Sequence, residues 1–290
     1  MTEDTHTLRT DGISATIAAD GAELCSLQNA DGLELLWQAG PAWRRHAPVL
    51  FPIVGRLKGD QLKHRGQVYP MTQHGFARDR RFTWVERGPT SCTLVLSDDA
   101  ETRTRYPFPF RLTVSYTVDK ARLHVAYAIG NTGDDVLPAS IGAHPAFNWP
   151  LSPDLRKEDY RLTFSDAEPA PIRRLSGGLL RATPEPTPID GHTLALSENL
   201  FDADAVIMDR PASHSVRYGA DRGPAITVAW ENFRELGIWS KPGGADFLCI
   251  EPWHGIASPS DFDADFSDKP GVMLIAPGAQ RILRFQILVQ

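Results

Sequence analysis

Residues Arg111–Ile129 read RLTVSYTVDKARLHVAYAI, and the order of apolar residues in this stretch decides the fold class. Leu112, Val114, Tyr116 and Val118 occupy every second position of the first half, and Leu123, Val125, Tyr127 and Ile129 do so in the second. Asp119 and Lys120 make a short polar connection between them. Successive side chains of an extended chain point to opposite faces, so a period of two puts each apolar set on one side of a strand. Two such runs joined by a short turn predict an antiparallel hairpin with one buried face.

Similar short runs recur outward from this hairpin, at Ile13–Ala18, Glu34–Trp37, Phe82–Glu86, Thr93–Leu96, Tyr160–Phe164 and Ala205–Met208. They continue at Ser215–Tyr218, Ile226–Trp230, Phe247–Ile250, Val272–Ile275 and Arg281–Leu288. Nowhere does a long apolar pattern at helical spacing carry a cap at each end. The 23 glycines and 23 prolines are spread along the chain, which breaks long helices and supplies turns. An all-β sandwich or barrel-like fold follows. Residues 167–200 are rich in Pro, Gly, Ser and Thr and read as a long excursion over the surface. The flanks on either side look alike, so residues 1–290 are taken as a single domain.

Composition narrows the partners. Of the 290 residues, 42% are hydrophobic and 23% charged, which is ordinary for a globular chain. A formal net charge of -6 leaves no basic surface for a nucleic-acid backbone. The polar N-terminus MTEDTHTLRTDG has no apolar signal-peptide core, and no run reaches the roughly 18 apolar residues that span a bilayer. A cytoplasmic protein without nucleic-acid or membrane partners is expected. The three cysteines, Cys25, Cys92 and Cys249, lie far apart in apolar stretches without metal-ligand spacing. They read as buried free thiols, with a disulfide between two of them left open.

Three segments carry polar residues that an all-β core does not ask for. They are FPIVGR with QHGFAR (Phe51–Arg56, Gln73–Arg78), IGAHPAFNW (Ile141–Trp149) and LCIEPWHG (Leu248–Gly255). Each sets a His, Arg or Glu among apolar neighbours beside Gly or Pro, as where a strand end enters a tight turn. Singly, each has a plain reading. His144 fits a buried, hydrogen-bonded histidine; Glu251, Arg56 and Arg78 fit ion-pair partners; His74 fits a turn cap. Together, two imidazoles, one carboxylate and arginines in an aromatic setting suit acid–base chemistry on a small molecule.

The segments APVLFPIVGRL (Ala47–Leu57), QHGFAR, GAHPAFN (Gly142–Asn148) and IEPW (Ile250–Trp253) resemble, in order, those of the aldose 1-epimerases, or galactose mutarotases. The likeness is to the branch with HGFAR where better-known members have a short HGG-type segment, which makes Phe76 and Arg78 branch features. The resemblance implies a large antiparallel β-sandwich of the galactose mutarotase type with its sugar site on an open concave face. It implies a cofactor-free enzyme that interconverts the α and β anomers of a free hexose. His144 then matches the general acid on the ring oxygen, and Glu251 the general base on the anomeric hydroxyl. His74 matches the histidine that hydrogen-bonds the sugar near its ring oxygen. Arg56 matches an arginine that binds sugar hydroxyls. Asp204 is the candidate for the family's substrate-binding aspartate, with Asp202 close behind.

Further expectations attach to this reading. Arg78 is a sugar contact, and Trp253, two residues beyond Glu251, is favoured over Phe147 and Trp149 to pack on the pyranose C–H face. Lys241 and His254 are rim candidates. Ring opening moves protons and no electrons, so no nicotinamide, flavin or metal is called for. His144 and Glu251 are expected to face each other across a gap wide enough for a pyranose, the carboxylate favouring the imidazolium. The partner is a small sugar, and the chain is a monomer or homodimer. A hexose 6-phosphate is the alternative substrate, since Arg44, Arg45, Arg78, Arg80 and Arg81 cluster in sequence. A non-catalytic carbohydrate-binding or sensing module is the alternative of another class, and a two-carboxylate hydrolase ranks last.

Overall fold

In the computed structural model, which describes residues 4–290, strands Phe110–Asp119 and Arg122–Asn131 pair antiparallel. Val118 lies opposite Leu123 and Leu112 opposite Ile129, and all eight alternating apolar side chains are buried. The turn is Lys120–Ala121, one residue later than the polar pair; Lys120 takes a positive φ of 51°, the sense that suits a two-residue hairpin.

This hairpin lies within a nine-stranded antiparallel sheet. From one edge the strands run Thr193–Ala195, Arg161–Phe164, Ser215–Gly219, Ala225–Glu231, Gln280–Val289, Arg122–Asn131, Phe110–Asp119, Ser91–Ser97 and Thr83–Arg87. A second antiparallel sheet is built around Phe247–His254. Glu235–Trp239 and then Val206–Met208 lie on one side of it, and Ile141–Ala143 and then Val49–Leu50 on the other. The two sheets share one apolar core, where Leu112, Val114, Val228 and Ile287 meet Leu236, Ile238, Leu248 and Ile250. The N-terminal strands Thr5–Arg9, Ile13–Ala18 and Leu24–Asn29 form a third sheet that adds Leu8, Ile17 and Leu27 to that core. Among the described residues the one α-helix is Ala100–Arg103, and no helix is long and apolar enough to cross a membrane.

Three expectations change. Glu34–Trp37 makes only isolated bridges, Glu34 to Gln28 and Leu36 to Phe147. The Glu34 carboxylate accepts from the Leu27 and Leu36 amides at 2.9 and 3.0 Å, doing with a side chain what a ladder would do with backbone. Residues 167–200 are not simply a surface excursion: Thr193–Ala195 closes an edge of the large sheet, and Ile172, Leu180 and Ile189 are buried. Phe247–His254 is twice the length the pattern suggested, because it is buried on both faces and shows no alternation to count. Cys92 and Cys249 are buried thiols, and Cys25 is half-buried.

Candidate active site

The site stands on the face of the second sheet that turns away from the shared core. Period two on Phe247–His254 sends Leu248 and Ile250 into that core, and Cys249, Glu251 and Trp253 to the opposite face. Cross-strand register adds Trp239 opposite Cys249 and Gly237 opposite Glu251. On the other side the neighbouring strand is broken. Ile141–Ala143 pairs at Trp253 and His254, Ala146–Asn148 pairs at Phe247 to Cys249, and His144–Pro145 fall in the gap. That gap lies beside Glu251, where Pro252, lacking an N–H, has no ladder bond to lose. The break brings His144 to Glu251.

The Trp253 indole lies flat across the sheet because both flanking strands carry glycine beneath it. A Cβ on Gly142 would stand 2.5 Å from Trp253 Cδ1, and one on Gly237 would stand 2.4 Å from Cη2. No real side chain tolerates such distances, so the two glycines make the slot.

His144 Nε2 lies 3.2 Å from Glu251 Oε2, with the imidazole 6% and the glutamate 1% exposed. The expected pyranose-wide gap between them is not there: the two side chains stand side by side on the floor of the cleft. The Trp43 indole stacks on the His144 ring at 4.9 Å and 27°, while Trp239 meets it edge-on at 5.8 Å. His74 packs edge-on to the same ring at 5.6 Å. His74 is held in a left-handed conformation (φ 66°) by a reciprocal pair with Gly55. Its amide donates to the Gly55 carbonyl at 2.8 Å, and the Gly55 amide donates to His74 Nδ1 at 3.1 Å. An Nδ1 that accepts leaves the ring proton on Nε2, a donor.

Burial sets the charge state. It pushes the Glu251 carboxyl well above the usual carboxylate range, and nearby Asp204 adds to the shift. It pulls His144 down to about 3, and the Arg78 guanidinium adds to that shift. His74 is also lowered, by burial first and then by His144 and Arg78. The expectation that the carboxylate favours the imidazolium is therefore reversed. Burial is the largest cause of both shifts, and each favours the neutral form of its group.

These residues line a cleft of about 250 Å³ together with Arg78, Asp204, Leu175, Ile207 and Ala257. Arg78 donates to the Gln73 carbonyl at 2.7 Å, and its buried Nε makes no hydrogen bond, with Asp79 at 4.0 Å. Asp204, itself left-handed at φ 69°, accepts from the Ala205 amide with one oxygen. Arg56 is not among the lining residues. Its guanidinium makes a bidentate pair with Asp60 at 2.7 and 2.6 Å, and its stem packs under the Gly177–Gly178 tip of a short hairpin. Arg56 thus stands beneath that hairpin, whose Leu175 lines the cleft. Asp202, Lys241 and His254 also lie outside the lining; His254 instead contacts the Asn232 carbonyl at 3.1 Å. Phe147 and Trp149 are wholly buried core residues.

Sequence reasoning missed Trp43, Trp239 and Leu175. A tryptophan in a half-apolar run reads as core, and Leu175 sits in the stretch taken for a surface excursion. The arginine cluster also resolves. Arg45 pairs with Asp79 at 2.6 Å, Arg80 with Asp99 and with Glu101 at 2.5 Å, and Arg81 with Asp4 at 2.6 Å and Asp20 at 3.2 Å. Of the clustered arginines, Arg78 alone lines the cleft.

A β-sandwich that sets one buried carboxyl against one imidazole, under aromatic walls, defines a protein suited to moving protons on a small polar ligand. A family model described as aldose 1-epimerase matches residues 4–261. Protein LacX, plasmid, of Lactococcus lactis subsp. lactis is 35% identical over 269 residues, spanning 89% of this chain and 90% of its own. Among solved structures, a galactose mutarotase related enzyme from Lactobacillus acidophilus superposes with a TM-score of 0.92 at 34% identity, covering 99% of this chain and 97% of its own. A galactose mutarotase-like protein from Lactobacillus casei does so with a TM-score of 0.92 at 32% identity, covering 99% and 100%. The chain belongs to the aldose 1-epimerase family.

Proposed function

We propose that this chain is an aldose 1-epimerase acting on a free, unphosphorylated hexose without a cofactor, with His144 and Glu251 as its acid and base. The observation that carries the reading is their 3.2 Å approach on the cleft floor. The anomeric hydroxyl and the ring oxygen are bonded to one carbon, so an acid and a base that serve both must be neighbours.

The pair carries one proton, resting on Glu251 because burial favours the neutral arrangement. Transfer of that proton to His144 across the short contact makes the reactive form, carboxylate and imidazolium. Glu251 then takes the proton of the C1 hydroxyl while His144 protonates the ring oxygen, and the C1–O5 bond breaks to the open aldehyde. Both groups are now neutral again. The desolvation that opposes the charged pair therefore favours the ring-opened state. Rotation about C1–C2 presents the other carbonyl face. His144 takes the proton of the C5 hydroxyl as its oxygen attacks, and Glu251 protonates the aldehyde oxygen. In this scheme His74 Nε2–H donates to the sugar oxygen nearest His144, and Trp253 and Trp43 offer flat apolar surface. Arg78 and Asp204 supply one donor group and one acceptor group for hydroxyls.

One guanidinium in the cleft is poor provision for a phosphate, which calls for convergent cations. Polarimetry on freshly dissolved α-glucose, α-galactose and α-glucose 6-phosphate tests the reading. Faster anomer exchange with a free hexose than with the phosphate ester is expected. No acceleration with any of them would overturn it.

We also infer a single folding unit, since one buried apolar cluster includes both Leu8 and Val289.

A further inference from the structure

We propose that the cleft floor also binds zinc(II), through His144, Cys249 and Glu251, and that the metal competes with the sugar. Cys249 plays no part in the acid–base scheme, yet it stands on the same face as Glu251, two residues away on one strand. One ligand atom from each of the three residues lies within 4.8 Å of the others, and all three residues are buried. The His144 Nε2 to Glu251 Oε2 separation of 3.2 Å is close to an edge of a tetrahedron whose metal bonds are about 2.0–2.2 Å. Glu251 Oε2 is buried and accepts no hydrogen bond.

The donor set selects the metal. Nitrogen, sulfur and oxygen in one group suit zinc, while magnesium and calcium demand oxygen ligands throughout. On binding, the Cys249 thiol proton and the Glu251 carboxyl proton both leave to buffer, and the dication meets a thiolate and a carboxylate in a site that is costly for either anion alone. Two of the three ligands, His144 and Glu251, line the cleft where the sugar would sit. His144 and Glu251 cannot hold zinc and move protons at once, so occupancy stops turnover. Only that competition rests on the mutarotase reading; binding does not.

Calorimetric titration of the whole protein with zinc chloride, without sugar, reads binding directly. Cobalt(II) as a substitute should give thiolate-to-metal charge-transfer absorption. In polarimetry, zinc is expected to inhibit the wild type in competition with hexose, and magnesium is expected to do nothing. Cys249→Ala, a small change at a position outside the catalytic pair, is expected to keep its exchange rate. It should need about tenfold or more zinc for half-inhibition. Equal zinc sensitivity in Cys249→Ala, no charge-transfer band, or no calorimetric binding would each overturn the proposal. An inactive protein that still binds zinc through Cys249 would sink the mutarotase reading and leave this one standing.

Discussion

Glu251 and His144 are both buried, and neither is neutralised by a full charge of opposite sign elsewhere in the cleft. In the proposed scheme each acts through the other. Glu251→Gln and His144→Ala are each expected to lower anomer exchange by about 10²–10⁴-fold, the usual contribution of a positioned acid or base. The double variant should lose little more, since either loss stops the proton circuit. Polarimetry of the three purified proteins checks this, with circular dichroism to show that they fold. A double variant whose losses multiply would mean two independent roles. Much of this scale is legible in sequence: His74, Arg78, His144, Glu251 and Trp253 stand among apolar residues beside turn formers, Asp204 is a candidate from the family resemblance, and all six line one cleft. Arg56 stands in the same kind of setting but finds Asp60 four residues on, and a local partner of that kind is invisible to a motif. The lean of both groups toward their neutral forms is not legible either, because attraction between charges can be guessed from identity while desolvation depends on burial.

At the scale of elements, the slot beneath Trp253 is made by two glycines on two different strands. Gly237→Ala puts a methyl 2.4 Å from the indole, so the ring must lift off the sheet beside Glu251. A loss of about 1–3 kcal/mol in thermal or urea unfolding is expected, as for other overpacked sites. A drop in kcat/KM for hexose should accompany it. Unchanged stability and activity together would show that Trp253 has room to move and does not shape the cleft. The elements themselves were legible in proportion to how one-sided their burial is. Phe110–Asp119 and Arg122–Asn131 bury one face and alternate cleanly. Phe247–His254 carries core on one face and the cleft on the other, so its pattern stops at Ile250 while the strand continues through Glu251 and Pro252. The same two-sided burial that hides a strand from periodicity marks the strand that bears the site.

For the whole molecule, the second sheet turns one face to the cleft and the other to the core, and the buried Glu235 and Lys269 anchor the loop that follows it. Glu235 accepts the Gly255 amide at 2.8 Å, while Lys269 donates to the Ile256 and Pro270 carbonyls. Together they hold the loop that follows Trp253 and leads to Ala257 at the cleft. Burial raises Glu235 from 4.5 to about 7, with Arg234 and Lys269 opposing and Asp209 assisting. It lowers Lys269 from 10.5 to about 8. For a carboxyl raised in the folded state, the folded protein binds the proton more tightly than the unfolded chain between the two values. The stability this contributes is complete below 4.5 and is lost as pH rises through about 7. Lys269 works in the opposite sense over a higher window, its penalty easing as pH rises above about 8. Glu235→Gln keeps an acceptor for the Gly255 amide and removes the titration. Its Tm relative to wild type is therefore expected to be higher near pH 7.5 than at pH 4.5. A Tm difference that is the same at both pH values would mean that Glu235 keeps an ordinary carboxyl titration and that the loop is held by its hydrogen bond alone.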